Sequence, residues 1–225
     1  MRLLIAAATE QEIAPFLDFM NQQFSVIAPY HFCKNNLEVV ICITGVGTLL
    51  SAFSLSSAFA QIKPHFALQA GIGGAFDREL PLGSLVVVRS EMPGDLGVED
   101  GNSIKSVFEL GLIQANEPPF VNGRLINPMR DFPFHLPFPS VNSLTVNMAS
   151  GNEDTIQKRI TKFSCDIENM EGASFHYICL KHQVPFLQIR TISNYVEVRD
   201  TSKWKLGEAI HTLNEWMKDN ITIQS

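Results

Sequence analysis

No apolar run in this chain approaches the ~20 residues needed to span a bilayer. The first apolar segment, residues 3–8, stops at Thr9-Glu10, too soon for the core of a secretory signal. It reads better as a first buried strand of a cytoplasmic protein. Basic residues are in the minority: 17 Lys and Arg face 23 Asp and Glu, for a formal charge of -6, and no basic run occurs. Binding a nucleic-acid polymer or a membrane is therefore not expected, because polymer affinity rests on neutralising phosphates. A small ligand without a charged backbone remains compatible. Cys33, Cys42, Cys165 and Cys179 show neither CxxC nor cysteine–histidine spacing, so neither a zinc site nor a disulfide framework is signalled. The six histidines form no His-x-x-x-His pair and no Ser/His/Asp grouping, and no catalytic histidine is assigned. The acidic stretch GDLGVEDG at 94–101 lacks the ligand series of a calcium-binding loop and reads as a solvated turn or lid. No metal and no organic cofactor is implied.

The 225 residues are 45% hydrophobic and 18% charged, enough to bury a full core as one domain over 1–225. Apolar periodicity alternates between strand and helix. Strands are expected over 2–8, 37–43, 65–70, 83–89, 143–148 and 184–189. Helices are expected over 48–61, largely buried, over 153–163, from about 173 to 180, and over 205–220. Six of the twelve prolines lie between Pro118 and Pro139, so about 115–140 is expected to be an extended insertion that covers something. The fold class is α/β: a mixed, largely parallel central sheet flanked by helices.

Polar residues collect at the expected ends of these elements. In ENMEGASFHYICLKHQVPFLQIRTISN at 168–194, Met170 and Glu171 stand at a helix start. Arg190, Ser193 and Asn194 fall at and just past a strand end, where open α/β sheets place ligands. A charge entering a buried strand end needs a partner; for Arg190 either a helix carboxylate or a ligand serves. Thr9-Glu10-Gln11-Glu12 fits a capping box, with Glu12 reaching back to the Thr9 amide. Pro15 instead suggests that the regular helix begins nearer Ala14, which would free Glu12 in a loop at the sheet's mouth. AGIGGAF follows a strand but lacks the Lys-Ser/Thr of a phosphate-binding loop. Its glycines, Gly73 among them, permit either a tight turn or close approach of the backbone to a flat ring or sugar.

AAATEQEI near the start, ITGVG at 43–47, AGIGG at 70–74, NMEG at 169–172 and VPFLQIRTISN at 184–194 occur in order across nearly the whole chain. Together they resemble the nucleoside phosphorylase superfamily, on its methylthioadenosine/S-adenosylhomocysteine nucleosidase branch. Within it, GDLGVEDG, ENMEGASF and ISNYVEVRDTSKWK resemble the futalosine hydrolases of menaquinone biosynthesis, which release hypoxanthine from futalosine. The resemblance implies that Glu12 polarises the attacking water and that Arg190 and Thr44 help hold this water and the sugar. It implies that Glu171 accepts hydrogen bonds from the ribose hydroxyls, with Met170 against the sugar's face. Met148 and Ala149 fall where the purine pocket is lined, although NMASG departs from the family's wording there. Asn194, preceded by Ser193, stands where the adenine-releasing members carry an aspartate. Superfamily members form dimers or larger rings, which implies a homo-oligomer.

Asn194 bears on which base leaves. Cleavage builds negative charge on the purine, so its five-membered-ring nitrogen must be protonated or hydrogen-bonded. Aspartic acid suits adenine, whose exocyclic amine donates. Hypoxanthine presents an accepting 6-oxo group, to which an amide can donate while its own carbonyl steadies the arriving proton. An adenine-releasing nucleosidase acting on methylthioadenosine, adenosylhomocysteine or an aminated futalosine is the alternative within the class. A silent nucleoside-binding protein is the alternative outside it. Gln69 and Ile72 stand where the phosphorylases bind phosphate through a base and a hydroxyl, which favours water as nucleophile. Arg124, Arg130 and Lys105 are candidates to face futalosine's aryl carboxylate.

Overall fold

The computed structural model describes residues 1–101 and 103–223. In chain order the elements are β1 (Arg2–Ala7), α1 (Glu10–Gln23), β2 (Ser25–Ala28), β3 (His31–Lys34), β4 (Leu37–Ile43), α2 (Thr48–Ile62), β5 (Phe66–Ala75) and β6 (Leu85–Pro93). There follow β7 (Gly97–Asp100), β8 (Ser103–Ser106), β9 (Leu125–Ile126), β10 (Ser140–Thr145), α3 (Glu153–Phe163), β11 (Ile167–Asn169), α4 (Gly172–His182), β12 (Phe186–Tyr195) and α5 (Leu206–Ile223). A mixed sheet runs β11-β10-β6-β12-β5-β1-β4-β3-β2, with β9 beside β6, and β7–β8 is a separate hairpin. β11 also pairs antiparallel with β5. The strands β5, β12, β6, β10 and β11 therefore close into a ring.

Alternation along β1 explains how both sheet faces are buried. Leu3, Ile5 and Ala7 enter a cluster with Ile13 and Phe16 of α1 and Leu213 and Met217 of α5. Leu4 and Ala6 enter another, with Leu55 and Phe59 of α2 and Phe175 and Ile178 of α4. Strands buried on both faces read as continuous apolar runs, and each fully buried Leu, Ile or Phe contributes about 1.5–3 kcal/mol.

Five expectations are corrected. The helix α1 begins at Glu10, not near Ala14, and its capping box forms, with Thr9 as N-cap and Glu12 at N3. Pro15 is tolerated because Asn214 of α5 stitches the gap it makes. The Asn214 side chain accepts from Phe16 N (2.9 Å) and donates to Glu12 O (2.8 Å), the two groups that an unbroken helix would have joined. The glycine run is no loop, since Gly71 to Gly74 lie inside β5. Arg190, Ser193 and Asn194 lie within β12, which a bulge between Ile192 and Asn194 carries on to Tyr195. The helix α2 is not largely buried: Leu49 is 80% and Phe53 75% exposed. Part of 94–101 forms β7 of the hairpin.

The proline-rich segment contains little regular structure beyond β9. It packs toward the starts of the parallel strands, Phe134 against Phe66 and Trp216 and Asn127 donating to Phe186 O at 2.8 Å. What it covers is the core at the end of the sheet remote from Arg190.

Candidate active site

Glu12 is only 8% exposed. Its Oε2 accepts the Thr9 amide at 2.9 Å, which is the capping contact, while Oε1 accepts the Ile72 amide of β5 at 3.2 Å. The capping box and the ligand site are thus compatible, with one oxygen turned to each. Burial pushes the Glu12 carboxyl above its ordinary value, and the Arg190 guanidinium opposes that shift. A carboxylate so placed is a proton acceptor tuned toward neutrality.

The Arg190 side chain is 2% exposed. It donates from Nη1 to Ile72 O (3.1 Å) and Glu171 Oε2 (3.3 Å), and from Nη2 to Asn169 Oδ1 (3.1 Å) and again Glu171 Oε2 (3.4 Å). The helix carboxylate that could have explained Arg190 structurally is therefore Glu171, itself a candidate ligand group. Gly71, paired with Arg190 across the sheet, leaves room for this meeting. A Cβ there would lie 2.7 Å from Arg190 Nη1 and 3.1 Å from Glu12 Oε1.

Glu171 occupies the N-cap position of α4 without capping it. Asn169 caps the helix instead. Its Oδ1 accepts from Glu171 N (2.9 Å) and Gly172 N (2.6 Å), and Thr145 Oγ1 accepts from Ala173 N (2.8 Å). Relieved of capping, the Glu171 carboxylate reaches Arg190 with one oxygen and the Gly47 amide (3.1 Å) with the other. Asn147 joins this rim by capping α2, accepting from Thr48 N at 3.0 Å and Thr48 Oγ1 at 2.6 Å. Asp95 in turn holds the Asn147 backbone. Sequence reasoning missed Asn169 and Asn147. Asn169 carried the signal of a helix cap, an asparagine just ahead of the start of α4, whereas Asn147 caps a helix 99 residues away in the chain and carried no local signal.

The structure brings Glu12, Glu171 and Arg190 together against Gly71 to Gly73. Thr44 is buried in the chain's turn from β4 toward α2, its hydroxyl near Gly45 O (3.0 Å) and Ala7 O (3.3 Å). Ser193 Oγ lies 3.2 Å from Gly73 O and donates to Asn194 Oδ1 at 2.8 Å. Asn194 stands farther along β12, opposite Gly74. It donates from Nδ2 to Tyr195 O (3.0 Å) and lines a cavity of about 280 Å³ with Arg78, Tyr195 and Trp204. Met170 is half-buried between β11 and α4, whereas Met148 and Ala149 are exposed on the loop after β10. That loop is held by a buried cluster, Arg159 donating to Met148 O (2.9 Å) and Ser150 Oγ to Glu168 (2.6 Å).

Two of the three basic candidates for a substrate carboxylate are engaged elsewhere, and the third lies apart from the cluster. Arg124 donates to Phe163 O at 3.0 Å, Lys105 pairs with Asp100 in the hairpin at 2.5 Å, and Arg130 lines an open cavity with Arg89 and Phe132 in the proline-rich segment. His176 is fully buried, donates to Leu125 O, and its pKa is lowered by burial to about 4, so it stays neutral. The Cys42 and Cys165 thiols are pushed up to about 11 by burial and stay protonated. Among the described residues no group of three or more His, Cys, Asp or Glu is placed to hold a metal, and no helix is long and apolar enough to cross a membrane.

Chemically, two buried carboxylates flank one guanidinium that is bonded to Glu171 and faces Glu12 across Gly71. The excess is negative, which suits a centre that becomes cationic in the transition state. Two unit charges 4 Å apart interact by about 4 kcal/mol at an effective dielectric near 20.

Comparison with known proteins gives a consistent picture. A family model described as the phosphorylase superfamily matches residues 2–223. A futalosine hydrolase of Thermus thermophilus is 28% identical over 212 residues, covering 93% of this chain and 91% of the relative. A 5'-methylthioadenosine/S-adenosylhomocysteine nucleosidase of Glaesserella parasuis is 25% identical over 205 residues, covering 88% and 87%. The native structure of a Helicobacter pylori futalosine hydrolase superposes with a TM-score of 0.73 over 99% of this chain and 98% of that one, at 17% identity, a likeness of fold.

Proposed function

This chain belongs to the phosphorylase superfamily, and from that premise we propose that it is a nucleoside hydrolase cleaving the N-ribosidic bond of futalosine to release hypoxanthine. The observation that carries the reading is the convergence of Glu12, Glu171 and Arg190 in one buried, net negative cluster. Glu12 takes a proton from water as the water oxygen bonds to the anomeric carbon. The bond from that carbon to the purine nitrogen breaks, and the departing base leaves with its electron pair and takes a proton from solvent, to which Glu12 returns the one it took from water. Glu171 holds the ribose hydroxyls and, with Glu12, offsets the positive charge that grows on the sugar. Arg190 keeps Glu171 aimed, and the Thr9 and Ile72 amides aim Glu12.

Water is favoured over phosphate for the same electrostatic reason. A dianion entering beside Gly71 would face Glu12 and find Arg190 already bonded to Glu171. Asn194 supports a 6-oxopurine as leaving group, by the donor–acceptor argument, over the adenine released by adenine-cleaving nucleosidases. The apolar face that α2 leaves exposed at Leu49, Leu50 and Phe53 supports a homo-oligomer, an assignment that sedimentation as a monomer would overturn. The deciding experiment incubates the protein with futalosine, inosine and methylthioadenosine in phosphate-free buffer and identifies the released base. Hypoxanthine from futalosine is the expected product. Adenine release alone would replace the substrate, and no release from any of the three would end the hydrolase reading.

A further inference from the structure

Glu91 of β6 is completely buried, and neither the attack of water nor the grip on ribose calls for it. Three donors converge on its carboxylate: Asn169 Nδ2 (2.7 Å) and Gln188 Nε2 (2.8 Å) to Oε1, and Thr145 Oγ1 (2.7 Å) to Oε2. The Thr145 hydroxyl also accepts the Ala173 amide, so its single hydrogen is free to point at Glu91. Gly172 is shaped to this carboxylate, because a Cβ there would sit 1.9 Å from Glu91 Oε1. Burial pushes the Glu91 carboxyl up, and the three hydrogen bonds and Arg190 pull it back.

Such a group is expensive to keep in a purely structural place, where apolar residues of similar volume would serve as well or better. Its partner explains the expense. Asn169 Oδ1 is committed to three donors, the Glu171 and Gly172 amides and Arg190 Nη2. The Asn169 amide nitrogen must then face acceptors, and it finds Glu91 and Ser143 Oγ (2.7 Å). Were the acceptor at Glu91 lost, Asn169 could rotate, and both the cap of α4 and the outer edge of the Arg190 fork would lose their anchor. Glu91 comes from β6, Ser143 and Thr145 from β10, Asn169 from β11, and Gln188 and Arg190 from β12, so the cluster is braced by four of the five strands of the ring.

We propose that Glu91 is a positioning residue for this reaction: acting through Asn169, its buried carboxylate fixes the directions of Arg190 and Glu171 without touching substrate. The proposal rests on the hydrolase reading above. Its test is a double-mutant cycle of Glu91→Ala and Asn169→Ala with Glu91→Gln as the conservative variant. Turnover is followed on whichever nucleoside the unmutated protein hydrolyses, and folding by circular dichroism and thermal melting. Glu91→Ala is expected to lower kcat by roughly 10- to 100-fold, as misplacement of catalytic groups by about 1 Å does, with KM changed by about twofold or less. The double variant should be no slower than Asn169→Ala alone. Glu91→Gln should recover most of the loss, since its carbonyl can accept from Asn169 and Gln188 while its amide donates to Thr145. If Glu91→Ala does not fold, Glu91→Asp, whose carboxylate is withdrawn by one methylene, takes its place with the same expected loss. A folded Glu91→Ala or Glu91→Asp variant with unchanged kcat overturns the proposal and leaves the hydrolase reading standing, as do losses that multiply in the double variant. An unmutated protein that hydrolyses no nucleoside overturns both.

Discussion

Gly71→Ala is the smallest change that should separate a working cluster from a merely buried one. The added methyl carbon would lie 2.7 Å from Arg190 Nη1, 3.1 Å from Glu12 Oε1 and 3.4 Å from Arg190 Cζ. Comfortable contact needs about 3.5–4.0 Å between carbons, so the methyl demands a shift approaching 1 Å. Arg190 cannot give way cheaply, because it is 2% exposed and held by Ile72 O, Asn169 and both contacts to Glu171. Overpacking of this kind costs about 1–3 kcal/mol, which for a chain of this size lowers the melting temperature by roughly 2–12 °C. The effect on rate should be larger in proportion, since displacing a positioned group by about 1 Å costs on the order of 100-fold, equivalent to about 2.7 kcal/mol in the barrier. Base release under saturating nucleoside, measured beside the thermal melt, reads both quantities. Gly207→Ala is the control: nothing lies within 4 Å of its Cβ position and it sits in α5, so activity should hold while stability rises by up to about 1 kcal/mol. A Gly71→Ala protein with full turnover would refute the claim that Glu12 and Arg190 must meet at that point.

The other expectations are briefer. Glu12→Gln should lose ~100-fold or more in turnover with little change in folding, and unchanged turnover would remove Glu12 from the mechanism. Because burial raises the Glu12 carboxyl above 4.5, kcat/KM should climb with pH through an inflection above that value, and an inflection at or below it would contradict the assigned base. Glu12, Glu91 and Glu168 are all raised by burial. Their contribution to stability is fully present below 4.5 and lost as pH rises through their folded values, so the urea midpoint should fall over that window; a midpoint that rises throughout would refute this. Asn194→Asp should move the ratio of kcat/KM for methylthioadenosine over futalosine upward by roughly 5- to 150-fold, the equivalent of ~1–3 kcal/mol for one mismatched buried polar group. A ratio that stays put would show that Asn194 does not read the base.

Periodicity locates most of the fold, because strands buried on both faces and helices with one apolar face leave unmistakable patterns in composition. Helix α3 agrees with expectation to the residue, at Glu153–Phe163. The failures have particular causes. The sequence pattern ends β5 at Ala70 because glycines read as turn, yet in a ring of strands the absent Cβ of Gly71 and Gly73 is what lets Arg190 and the Glu168 backbone lie close. The interior of α2 misleads because leucine and phenylalanine say that a face is apolar, not what covers it. Leu49 and Phe53 point away from the core formed by Leu55 and Phe59. The proline-rich segment is irregular, as its composition implies. Which end of the sheet it covers depends on contacts made by Phe134 with residues distant in the chain, and no local pattern encodes that.

The site is legible residue by residue but not as a mechanism of support. From sequence, Glu12 poses a choice between capping a helix and doing chemistry, since Pro15 argues against a helix there. The choice is false on both sides. A carboxylate has two oxygens, and here Oε2 closes the capping box while Oε1 is left for the β5 side of the cluster. The gap at Pro15 is filled from α5, where Asn214 supplies the donor and acceptor the helix lacks. Glu171 presents the inverse solution: it occupies the capping position but is excused from capping by Asn169, and so keeps both oxygens for Gly47 and Arg190. In each case an asparagine whose own sequence neighbourhood looks ordinary completes the backbone bonding around a catalytic candidate. Catalytic side chains carry their chemistry in their identity, so sequence can nominate them. Residues that support them do so through geometry set by elements far apart in the chain: Asn169 and Glu91 meet only once the ring of strands is closed, and Asn214 reaches Glu12 only once α5 packs on α1.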